Sequence, residues 1–122
     1  ADGKIVGVIT DRDVCIALGT RKRLPGETTV GEVISHRLFA CAPEDDVHVA
    51  LLVMKEGGVR RLPVLAPDGS LVGVISMDDV LLKAQPASAG LKPELSSEEV
   101  VKAFRVINQR QVPQVVLARG AA

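Results

Sequence analysis

Two short stretches of the chain place a hydroxyl three residues ahead of a carboxylate: Thr10 before Asp13, and Ser76 before Asp79. At a helix start this spacing forms a capping box, in which the hydroxyl accepts a bond from a first-turn amide. The same amides favour an anion, so a helix start can also meet a charged ligand. Arg12 lies inside the first element, and Arg60 and Arg61 stand just before Pro63. A guanidinium holds a phosphate through two parallel N–H bonds, which makes these three the candidate phosphate contacts. Their alternative is a solvated surface or a salt bridge to one of the fifteen acidic residues. The tighter basic run Arg21, Lys22 and Arg23 reads as a solvated linker.

Other chemistries lack their groups. No phosphate-binding G-x-x-x-x-G-K-[ST] loop, G-x-G-x-x-G, G-x-S-x-G or H-E-x-x-H is present, so no catalytic site and no enzyme is expected. His36 and His48 match no zinc spacing with Cys15 and Cys41, and no metal is expected. The two cysteines read as buried reduced thiols, with a redox switch as a weaker possibility. Fifteen basic residues balance fifteen acidic ones, and Phe39 and Phe104 are the only aromatic residues. Nucleic-acid binding by counterion release or base stacking is therefore not expected. The longest apolar run, Val49 to Met54, falls far short of the roughly 20 residues that span a bilayer, so neither membrane nor secretion is expected and the cytoplasm is the expected location.

The elements that must position these residues are written twice. Residues 3–14 read GKIVGVITDRDV and residues 69–80 read GSLVGVISMDDV, with 7 of 12 positions identical. Each copy predicts a short strand, over Ile5 to Ile9 and over Leu71 to Ile75, followed by a capped helix. Ahead of the second copy, Leu38 to Cys41 predicts a strand closed by Pro43. Val47, Ala50, Leu51 and Met54 fall on one helical face, which Asp45 and Asp46 begin and Gly57 and Gly58 end. Leu62 to Leu65 predicts the next strand, and Pro67, Asp68 and Gly69 the turn after it. The second unit thus reads β-α-β-β-α, whereas the first has only its last strand and helix.

At the paired GVIT-DRD and GVIS-MDD segments the chain resembles a tandem pair of CBS domains, the regulatory Bateman module. The second copy matches the family over its whole length, through VGEVIS, DDVHVALLVMKEGGVRRLPVL and DGSLVGVISMDDVL; the first matches only through DGKIVGVITDRDVCIAL. The resemblance implies an α/β fold of two β-α-β-β-α units packed sheet to sheet about a pseudo-twofold axis, with clefts for adenine nucleotides or related adenosyl compounds. It also implies that Asp13 and Asp79 accept from ribose hydroxyls, that Thr10 and Ser76 lie near phosphate, and that Phe39 and Ala40 lie where adenine rests on the first strand. Phe39 also reads as core, as do Met54 and Phe104.

The expected organisation is a partial first repeat with its linker over residues 1–29, a complete second repeat over 30–84, a linker over 85–94 and a helix and strand over 95–122. Ser96 and Glu99 cap that last helix, Val100, Phe104 and Ile107 line its apolar face, and Val112 to Leu117 predicts its strand. This half-unit is what the front lacks, and it is expected to close the first repeat as in a circular permutation. A missing natural amino end, an appended tail or a swap onto a partner chain are the alternatives. The expected function is a sensor of an adenosine-containing ligand such as AMP, ADP or ATP, with no obligatory cofactor, acting as a homodimer and through a separate effector protein. A ligand-free dimerisation or protein-interaction module is the alternative.

Overall fold

A computed structural model describes residues 2–90 and 92–111. Its helices are α1 (Asp11–Arg21), α2 (Val30–Val33), α3 (Val47–Gly57), α4 (Met77–Lys83) and α5 (Ser97–Gln111), and its strands are β1 (Arg61–Leu65) and β2 (Leu71–Ser76). The predicted strand Val112 to Leu117 lies outside the described residues.

β1 and β2 pair antiparallel from Arg61 opposite Ser76 to Leu65 opposite Leu71, with a register shift between Val64 and Leu65. Asp68 closes the turn by accepting from the Ser70 amide at 3.0 Å and from its hydroxyl at 2.6 Å. Gly69 supplies the positive φ of 82° that a side chain resists. Leu62, Val64 and Ile75 turn one face of the hairpin into the core, while Val72 and Val74 on the other face stay more than half exposed.

The inward face is covered by helices. α3 begins where Asp46 Oδ1 accepts from the His48 amide at 2.8 Å and stops at Gly58 in the left-handed conformation. Its predicted apolar stripe is realised, with Ala50, Leu51 and Met54 buried. Met77 and Val80 of α4 join the same cluster.

Two predicted strands shrink to single rungs. Cys41 pairs with Val64 in parallel, its amide donating to the Pro63 carbonyl and its carbonyl accepting from Leu65. The next rung of a parallel ladder would need an amide hydrogen at Pro63, and proline has none. Ile5 to Ile9 keeps the one bridge Val8–Ser35, with the bridge Lys4–Ser70 just ahead of it. Among the described residues no strand runs beside it, and Val6 is 66% exposed. α1 is correspondingly bare, with Ala17 its one buried residue.

The carboxyl-terminal helix packs differently from the expected closure of the first repeat. α5 lies on α3 and α4, inside the same core as residues 30–85: Val100, Ala103 and Ile107 are buried with Met54, Leu62 and Val80. The reason is supply of apolar surface. The helical side of the second unit offers a continuous buried patch, whereas Ile5 to Ile9 offers one unpaired segment. The 85–94 linker folds back to make this possible, because Gln85 donates to the Leu95 carbonyl at 3.0 Å and accepts from Ser97 at 2.9 Å. Ser96 and Glu99 form the predicted capping box. The basic run stays exposed, and two of its arginines are also tied to α2: Arg23 pairs with Glu32 at 2.9 Å and Arg21 donates to the Glu32 carbonyl at 3.0 Å. The Thr29 amide, then Arg23 and the Thr29 hydroxyl, hold the Glu32 carboxyl down at about 2.

Two predictions follow from this packing. His48 on α3 bonds Asp46 through Nδ1 at 2.5 Å and faces Glu99 of α5 through Nε2 at 3.5 Å. The bond to Asp46 raises its pKa above the ordinary value of 6.5, with the charges of Asp46, Glu99 and Glu94 adding to it. A raised folded pKa stabilises fully below the unfolded value and is lost as pH climbs through the folded one. The thermal midpoint should therefore drop as pH rises past about 6.5, and His48→Gln should flatten that slope; equal slopes in both proteins would remove His48 from the linkage. Separately, a Cβ on Gly57 would stand 2.8 Å from the Phe39 ring. Gly57→Ala should cost about 1–3 kcal/mol in urea unfolding, and an unchanged midpoint would mean that the ring yields freely.

Candidate ligand site at the β2–α4 junction

Both S/T-x-x-D elements fold as capping boxes. Ser76 Oγ accepts from the Asp79 amide at 3.2 Å, and Asp79 Oδ2 accepts from the Ser76 amide at 2.9 Å and from its hydroxyl at 2.7 Å. Thr10 and Asp13 repeat the geometry at 3.2, 2.9 and 2.8 Å. In each box one carboxylate oxygen takes both bonds, which leaves Oδ1 without a partner among the described residues. The Ser76 hydroxyl first, and then its amide, hold the Asp79 carboxyl below the usual range, so it is an anion at neutral pH.

The hairpin gathers four predicted residues at one end. Arg61 stands opposite Ser76, and the Met77 amide donates to the Arg60 carbonyl at 2.8 Å, so Arg60 and Arg61 flank the start of α4. The parallel rung at Cys41 runs Ala40 and Phe39 back toward the same end of β1. Arg61 is exposed and its guanidinium has no ion pair among the described residues. A cavity of about 230 Å³ opens beside Asp79, lined by Val47, Ile75, Val80, Leu82 and Lys83. It is smaller than the roughly 300–1,000 Å³ typical of small-molecule sites.

Thr10, Arg12 and Asp13 form a separate group. Val8 exchanges two hydrogen bonds with Ser35, which seats the first box beside α2. The antiparallel rung at Lys4 meets Ser70, at the far end of β2 from Ser76. Two of the predicted residues near the junction turn their side chains elsewhere. Phe39 is half-buried, with Gly57 against its ring and the Arg37 guanidinium 4.9 Å from the centroid, so it packs as core. Arg60 turns its guanidinium onto α5, donating to Asn108 Oδ1 at 2.6 Å and lying 5.1 Å from the Phe104 centroid.

Phe104 and Asn108 are the neighbours of the site that sequence reasoning missed. Their spacing of four shows that they share a helix face, but nothing local joins them to Arg60, 48 residues before Asn108. A larger hollow of about 520 Å³ lies between α4 and α5, lined mainly by apolar side chains such as Met77, Leu81 and Phe104. Size alone would favour it; the junction is the better candidate because the hollow contains neither capping box nor Arg61. Cys15 is exposed and Cys41 buried, and burial first, then Asp45, pushes the Cys41 thiol up, away from a reactive thiolate. Among the described residues no group of three metal-ligating side chains converges, and no helix is long and apolar enough to cross a membrane.

Comparison with known proteins agrees with this geometry. The CBS domain family model matches residues 30–85, the segment that runs from α2 through α3 and the β1–β2 hairpin to the end of α4. A CBS domain-containing protein of Bacillus subtilis is 32% identical over 78 residues, covering 64% of this chain and 54% of that one. The structure of a protein with CBS domains from Burkholderia ambifaria superposes with a TM-score of 0.59 at 29% identity, over 73% of this chain and 68% of that one. A CBS domain protein from Pyrobaculum aerophilum complexed with AMP superposes with a TM-score of 0.57 at 28% identity, over 66% and 59%. The chain spans 23% to 54% of the length of the first curated relatives it matches. The α/β fold and these matches together identify residues 30–85 as a CBS domain.

Proposed function

We propose that the chain is a regulatory module that binds an adenosine-containing ligand, such as AMP, ADP or ATP, between its two repeats and transmits occupancy as a change of conformation or dimer geometry. One observation carries the reading. An ionised Asp79 with one free oxygen and an exposed Arg61 stand at the same helix start, which supplies an acceptor for ribose hydroxyls, a cation for phosphate and first-turn amides. The AMP bound to the Pyrobaculum aerophilum relative supports that ligand class. The cavity is small because it belongs to one unit, and the second wall is assigned to the repeat that holds Thr10, Arg12 and Asp13. Such a module senses and does not catalyse. Its signal is the difference in ligand affinity between two packings.

A second reading, a ligand-free dimerisation or protein-interaction module, is favoured by the apolar surface around the incomplete repeat. Val6, Val72 and Val74 are 66%, 57% and 58% exposed. Thermal unfolding against AMP, ADP, ATP, S-adenosylmethionine and adenosine separates the two, with sedimentation run in parallel. A ligand at about 100 times its Kd should add about 2.7 kcal/mol and raise the midpoint by several degrees. Asp79→Ala, checked for folding by circular dichroism, should weaken that ligand by about ten- to a hundredfold. No shift with any ligand, together with a stable dimer, would replace the sensor by the interaction module.

A further inference from the structure

We propose that α5 is a built-in competitor for the ligand's phosphate, acting by holding Arg60 away from the junction. The proposal rests on reading that junction as a nucleotide site. Arg60 has its backbone inside the site, where its carbonyl accepts from Met77 next to Ser76, but its guanidinium leaves it for α5. Asn108 is set to receive it. The Asn108 amide nitrogen donates to the Phe104 carbonyl at 2.9 Å, which turns Oδ1 toward the guanidinium at 2.6 Å. The Phe104 ring covers one face of the cation. A phosphate gripped through two parallel bonds needs a guanidinium edge, and α5 engages one Nη and a face. Arg61, one residue on, has no such restraint, so the two arginines beside the junction are in different states.

α5 does not need Arg60 in order to dock. Its anchoring residues are Val100, Ala103 and Ile107, which are buried against α3 and α4, whereas Phe104 is 38% exposed. The Phe104–Asn108 face is thus separable from the face that folds the protein. It also lies outside residues 30–85, the segment that the CBS domain family model matches. Where one cation serves two partners, each partner weakens the other by the same factor.

The experiment compares AMP with adenosine on the full chain and on Asn108→Ala and Asn108→Asp, by isothermal titration. Asn108→Ala removes the charge-assisted bond and should tighten AMP by about tenfold. Adenosine, which has no phosphate for Arg60, should bind all three proteins equally. Asn108→Asp holds the guanidinium with a full charge and should weaken AMP. In an Arg60→Ala background the Asn108 substitutions should change nothing. AMP affinity unchanged by both Asn108 variants, or adenosine tightening as much as AMP, would overturn the competition and leave the sensor reading standing. Failure of the wild-type chain and every variant to bind any adenosyl ligand would instead remove the sensor reading, and the competition with it.

Discussion

Two antiparallel strands cannot bury themselves, and the molecule is organised around how the β1–β2 hairpin is covered. Leu62, Val64 and Ile75 present one apolar face, which α3 and α4 cover from within the CBS unit and α5 extends from outside it. Met54, Leu62, Val80, Val100 and Ile107 are the most deeply buried large side chains, and two of the five belong to α5. That helix is therefore part of the fold and not a tail. The opposite face, with Val72 and Val74, has no comparable cover among the described residues, and the amino-terminal segment joins the hairpin through the main-chain bridge Lys4–Ser70 just before β2.

The candidate site inherits its order from that hairpin. Register sets Arg61 beside Ser76, and the reciprocal bonds of the capping box then fix Asp79 with one oxygen committed and one free. The box is sufficient to start α4 without any ligand. A cap and a ligand contact can share one carboxylate, because it has more acceptor positions than a cap uses.

Local chemistry was legible in the sequence, and long-range partnership was not. The three predicted capping boxes, the stripe on α3, the stop at Gly58 and the turn at Asp68–Gly69 depend on residues within a few positions of one another, and each forms as its spacing predicts. Leu38 to Cys41 has the composition of a strand, yet Pro63 on its partner ends the ladder, a veto invisible from either segment alone. Ile5 to Ile9 fails for want of a neighbour. α5 was recognisable as an amphipathic helix, but amphipathicity states that a face must be buried and not where. The fate of Arg60 depends on that same placement, since Asn108 meets it only once α5 lies across α3.

The short loop that Gln85 and Ser96 pinch shut has a kinetic meaning. A helix tethered so closely cannot be diluted away: if it lifts from α3, its effective concentration at its own groove stays on the order of millimolar. Release of α5 is then an internal equilibrium set by the contacts it breaks, the same at every protein concentration, and reversible without any encounter between molecules.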